Sequence, residues 1–150
     1  MAESFQSRAF RWKMNFWPCY RGTGGRIQYI AADWREVRVR LSLSWRTTNY
    51  VGAIFGGSLY AAVDPLYMLM LIKILGPGYI VWDKAAAIRF KKPGRSTLTA
   101  TFRLDEAELE TIRGLLATTP KVDRTYLIQL VDAAGTVHAE VEKVVQVRKK

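Results

Sequence analysis

From Gly56 to Leu75 the chain is apolar on every side of a helical projection, so a helix formed there has to be enclosed by protein or by lipid. Between residues 51 and 72 the only charged residue is Asp64, and the stretch is long enough to cross a bilayer. Gly56, Gly57 and the Asp64-Pro65 pair stand against a spanning helix. A carboxylate near mid-membrane is costly, and proline breaks the backbone ladder that lipid cannot replace. The expectation is a helix buried inside a protein, with no membrane span.

The rest of the chain supplies the enclosure. Val37, Val39, Leu41, Leu43 and Trp45 alternate with Arg38, Arg40, Ser42 and Ser44, the period of a half-buried strand, expected to pair with residues 26–31. Leu98, Ala100, Phe102 and Leu104 alternate with Thr97, Thr99, Thr101 and Arg103 in the same way. Val137, Ala139 and Val141 alternate with His138, Glu140 and Glu142, and the turn Asp132-Ala133-Ala134-Gly135 links them to Tyr126, Ile128 and Leu130. These runs predict an α+β fold, an antiparallel sheet curled around one central helix. Asp105 and Glu108 have the spacing of a capping box ahead of a short helix whose apolar stripe is Leu109, Ile112 and Leu116.

At 150 residues the chain has the length of one domain, which can bury about 68–70% of its unfolded surface. Residues 1–25 read as an N-terminal helix with a glycine-rich connection, and 26–150 as the core. Phe5, Ala9, Trp12 and Phe16 recur at helical spacing beside Phe10, Met14 and Trp17, so residues 3–15 read as the helix. This wide apolar face is expected to pack on the body, the alternative being a membrane surface, given Arg8, Arg11 and Lys13. Pro18, Gly22, Gly24 and Gly25 end the helix.

The net charge is +10, and the excess lies in the first two thirds of the chain. Such a field attracts nucleic acid, an anionic membrane or a phosphorylated small ligand, but no nucleic-acid motif accompanies it. Cys19 and His138 are the only residues of their kinds, so no intrachain disulfide and no Cys/His zinc site is expected. A Cys19–His138 nucleophilic pair is one reading, a packed thiol and a solvent-facing imidazole the plainer one. The three basic residues also interrupt any signal-peptide core, so a cytoplasmic location is expected.

Asn49-Tyr50-Val51-Gly52-Ala53-Ile54-Phe55-Gly56-Gly57 is followed by Asp64 seven residues after Gly57. Further on, Arg89-Phe90-Lys91-Lys92-Pro93-Gly94 precedes Leu98-Thr99-Ala100. Together, across about residues 37–148, these motifs resemble the hotdog-fold acyl-CoA thioesterases of the phenylacetate-degradation type. There, an Asn, a Gly and a His-Gly-Gly triplet precede a long central helix carrying an acidic residue at the same spacing. The resemblance implies a hotdog fold and hydrolysis of an acyl-CoA thioester, with no cofactor beyond the coenzyme A of the substrate. It also implies a homodimer, or a tetramer, in which the glycine amide of one helix and the carboxylate of the other flank a shared pocket. Two departures stand out: Phe55 replaces the usual histidine, and Asp64-Pro65-Leu66 replaces Asp-Thr-Ala.

The residue types suit that chemistry. Glycines at a helix start let a ligand approach main-chain N–H groups, and one such donor contributes about 2.7–4 kcal/mol in acyl transfer. Gly57 N–H is the candidate donor. Asp64, about two turns and roughly 10 Å further along the helix, is better placed for the partner's substrate than its own. Its role is general base on water or direct nucleophile; the plain alternative is a carboxylate bonded to backbone in a proline kink. Asn49 supports the loop or contacts substrate, or is simply a turn side chain. Phe55 and Gly56 are substrate-binding candidates. Lys91, Lys92 and Arg95, with Arg89, suit the phosphates of coenzyme A, or form a solvated basic turn. Tyr60, Tyr67, Met68 and Met70 line an acyl pocket or pack in the core. The Phe55 and Pro65 departures leave open a non-catalytic protein that binds an acyl-CoA or fatty-acyl ligand.

Overall fold

The computed structural model describes residues 2–150. Helices α1 (Phe5–Phe16) and α2 (Pro18–Gly22) precede strands β1 (Gly25–Ile30) and β2 (Glu36–Leu41). The apolar segment follows as α3 (Gly56–Ala61) and α4 (Leu66–Leu75), then β3 (Tyr79–Phe90), β4 (Leu98–Arg103), α5 (Glu106–Thr118), β5 (Lys121–Val131) and β6 (Val137–Lys149). All strand pairs are antiparallel in one six-stranded sheet of order β1-β2-β4-β5-β6-β3. The sheet wraps the α3–α4 segment, the hotdog architecture expected from the sequence. Val37, Val39, Leu41, Leu98, Phe102, Val141, Val145 and Val147 close on Ala62, Val63, Met70 and Leu71, all completely buried. Tyr67 stacks on Tyr126 and meets Phe102 edge-on, with ring centroids 4.2 and 5.2 Å apart.

The central helix is interrupted. Pro65 has no N–H to donate, and the Leu66 N–H turns to Val63 O at 3.5 Å, which frees the carbonyls at the break. Tyr20 of α2 donates its hydroxyl to Ala62 O at 2.9 Å, repairing one of them from outside the helix. β1 runs against the same spot, where a side chain at Gly25 would come within 2.7 Å of Ala62 Cβ. By length and composition the helix Gly56–Leu75 could cross a membrane. Its interior position explains its apolarity without one.

Three local expectations are corrected. The strand expected to run to Trp45 ends at Leu41, because Thr47 Oγ1 accepts from Ser44 N–H (3.0 Å) and donates to Ser42 O (2.7 Å), turning the chain; Trp45 is exposed. Only half of the Asp105–Glu108 capping box forms: Asp105 accepts from Glu108 N–H at 2.8 Å, while the Glu108 carboxylate turns to Arg124 and Tyr126 on β5.

The third concerns α1, whose Phe5–Trp12–Phe16 stripe faces solvent rather than the body, with Phe5 84% exposed. α1 docks instead through Phe10, Met14 and two polar clips on the β1 edge. Asn15 donates to Ile27 O (2.9 Å) and accepts from Ile27 N–H (2.8 Å), and Glu3 accepts from Ile30 N–H (3.0 Å). An edge strand's free backbone groups need polar partners, so the helix turns Asn15 inward and its aromatic stripe outward.

Candidate functional site

The loop ahead of α3 is built by Asn49. Its side-chain oxygen accepts from the N–H groups of Val51 (3.1 Å) and Ala53 (3.0 Å), and Gly52 takes a positive φ of 75° to close the turn. Asn49 thus fills the turn role. The loop is pinned at both ends, by Ile54 N–H to Gly94 O (2.8 Å) and Phe55 N–H to Thr47 O (2.7 Å). His138 anchors the facing loop: its carbonyl accepts from Lys91 and Lys92 N–H, and its Nδ1 donates to Pro93 O (3.1 Å) while Nε2 meets Asp132 at 3.0 Å. His138 is buried, not the solvent-facing imidazole expected, and both ring nitrogens are engaged; Cys19 is exposed on α2, not packed. Neither arrangement suits a Cys–His nucleophile.

Between the two loops lies a mostly apolar pocket of about 360 Å³, bordered by Asn49, Val51, Gly56, Leu59, Phe90 and Lys92. Of the sequence candidates it gathers Asn49, Gly56, Lys91 and Lys92, while Phe55, Gly57, Arg95 and Asp64 fall outside its lining. The Phe55 ring lies against Gly57, where a Cβ would meet its Cε1 at 2.3 Å, and the Phe90 ring packs over Gly56. No side chain caps the start of α3. Lys91 pairs with Glu140 at 3.1 Å. Tyr60, Tyr67, Met68 and Met70 do not line the pocket; Tyr67 and Met70 belong to the core.

Asp64 sits at the helix break in a polar cluster. Its Oδ1 accepts from the Tyr60 hydroxyl at 2.5 Å and from Lys143 Nζ, whereas its Oδ2 takes no hydrogen bond among the described residues. Lys143, on β6, also meets Asp83 Oδ2 at 3.1 Å, and its side chain is only 1% exposed. Asp83 reaches the cluster because a bulge between Asp83 and Ala85 shifts the β3–β6 register.

One ammonium serves two carboxylates. Burial by itself would push the Lys143 ammonium down, but hydrogen bonds to Asp64 and Asp83 outweigh it and hold the group above its usual range. Burial raises Asp83, against the pull of Lys143, and leaves its Oδ1 with no partner. Burial and then Asp64 raise Tyr60, so its hydroxyl stays a donor.

Lys143 and Asp83 were not singled out in the sequence. The signal was present for Lys143: continuing the alternation Ala139, Val141 puts it on the core face with Val145 and Val147. A lysine in core register needs acidic partners, which Asp64 and Asp83 supply.

Residues 6–147 match the family described as a domain of unknown function, DUF4442. No curated protein matches the sequence. The chain is similar in structure to protein PA5026 of Pseudomonas aeruginosa, described as of unknown function and a probable thioesterase. That likeness has a TM-score of 0.84 at 19% identity and covers 100% of both chains. It is similar to thioesterase HI1161 of Haemophilus influenzae, with a TM-score of 0.70, 14% identity and coverage of 98% of this chain and 93% of the other. The E. coli PaaI protein of the phenylacetic acid degradation operon gives 0.65 at 18% identity, covering 97% and 92%. Identities this low carry the fold, and the fold they share is the hotdog. On the match over residues 6–147, the chain belongs to the DUF4442 family.

Proposed function

We propose that this protein is a homodimeric hydrolase of acyl-CoA thioesters, with Asp64 as its base or nucleophile. The observation that carries the reading is the state of Asp64: one oxygen is fixed by Lys143 and Tyr60, and the other has no partner among the described residues, on a side chain 39% exposed. A fixed carboxylate with one free oxygen can take a proton from water or attack a carbonyl.

The edges of the sheet support a dimer. The β1 edge is covered by α1, but β3 pairs only with β6 along its 12 residues and exposes Trp82 and Phe90. A long apolar edge is normally paired or blunted. Two β3 edges meeting antiparallel, centred between Ala86 and Ala87, would bring Asp83 of one chain opposite the partner's Phe90. Since Asp83 adjoins Asp64 and Phe90 borders the pocket, that pairing brings one chain's carboxylate to the other's pocket. The short side chains of Ala85, Ala86 and Ala87 allow close approach.

In this arrangement the acyl group enters the apolar pocket, with Phe55 and Gly56 beside it and the thioester carbonyl facing Gly57 N–H. Lys91, Lys92 and Arg95 face the phosphates of coenzyme A, and no metal or redox cofactor is required. As base, Asp64 accepts a proton as water adds to the carbonyl carbon; the C–S bond then breaks, and the departing sulfur takes that proton from Asp64 to leave as the thiol beside the free acid. The test is thiol release across short, long and aromatic acyl-CoAs. Asp64→Asn is expected to lower kcat by about 10²–10⁴-fold, and unchanged activity would remove Asp64 from the mechanism. A non-catalytic acyl-CoA binder is the second reading, favoured by Phe55 standing where the resembling family has histidine. Ligand-dependent thermal stabilisation without any thiol release would select it.

A further inference from the structure

The outward face of α1 is the feature that neither the fold nor the proposed site accounts for. Phe5, Trp12, Phe16 and Trp17 are exposed there, and Trp45, on the turn after β2, is 88% exposed. Phe16 borders a polar pocket of about 310 Å³ formed where α1, α2, β1 and that turn meet. Phe16, Arg21, Arg26 and Arg46 all line it, and no carboxylate does. Trp12 stacks on Phe16, and the Arg46 guanidinium lies over the Trp45 ring at 5.6 Å, so aromatics and cations form one continuous surface.

Its charge is uncompensated. Residues 5–32 and 37–63 contain no Asp or Glu. Arg21, Arg26 and Arg46 have no carboxylate partner among the described residues, whereas Arg11, Arg35 and Arg124 each hold a glutamate. Arg26 also stands directly opposite Arg40 across the β1–β2 pair, a like-charge juxtaposition that a sheet tolerates only at a cost.

We propose that this face docks the protein on an anionic phospholipid surface, with a headgroup phosphate in the Arg21–Arg26–Arg46 pocket and the Trp12, Phe16, Trp17 and Trp45 rings at headgroup depth. Indole and phenyl rings flanked by arginines suit that boundary, where one end of a side chain is apolar and the other wet. A second copy of this chain is the poorer occupant, because a two-fold contact sets this cationic patch against itself. Nucleic acid is poorer too: Trp12 is stacked on Phe16, Lys13 lies over Trp17 and Arg46 over Trp45, so one face of each indole is already taken and less ring surface is left for base stacking. The inference does not depend on the thioesterase reading, since none of these residues lines the acyl pocket.

The full-length protein is sedimented with vesicles of two parts phosphatidylcholine to one part phosphatidylglycerol, and with phosphatidylcholine alone. Binding is expected only to the anionic vesicles, with a blue shift of tryptophan emission and release by salt. Each basic residue near such a surface is worth roughly fivefold in partitioning, so the triple variant Arg21→Gln/Arg26→Gln/Arg46→Gln should bind about a hundredfold more weakly while melting as the parent does. Trp12→Ser/Trp17→Ser/Trp45→Ser should lose the blue shift. Absence of binding to anionic vesicles at low salt overturns the proposal, as does equal binding by the arginine variant. So does a change of oligomeric state in the tryptophan variant, or binding to single-stranded RNA in place of vesicles.

Discussion

Helices α1 and α5 have the same kind of sequence, an apolar stripe at helical spacing beside charged residues, and opposite fates. In α5 the stripe Leu109, Ile112 and Leu116 is buried. In α1 only Ser7 is fully buried, and the longest aromatic stripe faces out. The difference lies in what each helix must satisfy. α5 lies on the wrapped sheet and is tied to β5 by Glu108, which takes Arg124 Nε and the Tyr126 hydroxyl at 2.8 Å each. α1 lies along a sheet edge, and the unpaired backbone of β1 claims its polar side through Asn15 and Glu3. Periodicity reports that a face would leave water if something covered it, and says nothing about what does.

The largest effect should come from breaking the packed helix. Ile112→Ala, removing a completely buried side chain, is expected to cost about 2–5 kcal/mol in equilibrium urea unfolding. A loss under 1 kcal/mol would mean α5 is no better seated than α1.

Glu108 sharpens the contrast through pH. Burial would raise its carboxyl, but the bonds from Arg124 and Tyr126 and the Arg124 charge outweigh burial and hold it below the usual 4.5. A depressed carboxyl contributes stability that is fully present above its unfolded value and lost as pH falls through the folded one. Glu108→Gln should therefore lower stability at neutral pH, by roughly 1.5–3 kcal/mol for hydrogen bonds to a charged group, and flatten the acid limb below about pH 4.5. Parallel acid limbs for parent and variant would show that the tie to β5 carries no weight.

The smallest effect is the counterpart on α1. Trp12→Ser replaces a larger side chain than Ile112, yet should change unfolding free energy by no more than about 0.5 kcal/mol, because the indole is half exposed and stacks on Phe16, which is itself exposed. A loss comparable to Ile112→Ala would reveal that the stripe is covered in solution.

The strand registers of β2, β4 and β6 and the stripe of α5 were legible in the sequence because each element has one wet and one dry face. The resemblance around Asn49–Asp64 pointed to the fold because Asn49, the glycine pair, Asp64 and Pro93 occur together at the family's spacing, whereas a glycine pair before a helix is common by itself. The partners of Asp64 were not legible. Lys143 is 79 residues away in sequence, and Asp83 depends on a bulge that shifts the register of β3. Tyr60, four residues before Asp64, is visible as a neighbour on the helix, but its spacing reads as pocket lining or core packing and not as a donor to Asp64.

By itself the sequence determined that Gly56–Leu75 had to be enclosed and that alternating strands would enclose it, because apolar area and strand period are local properties of the chain. Tertiary structure alone decided which way α1 faces, how far β2 runs and what holds Asp64. Each of these turns on which distant polar group reaches an unsatisfied neighbour, and that is set only when the sheet closes.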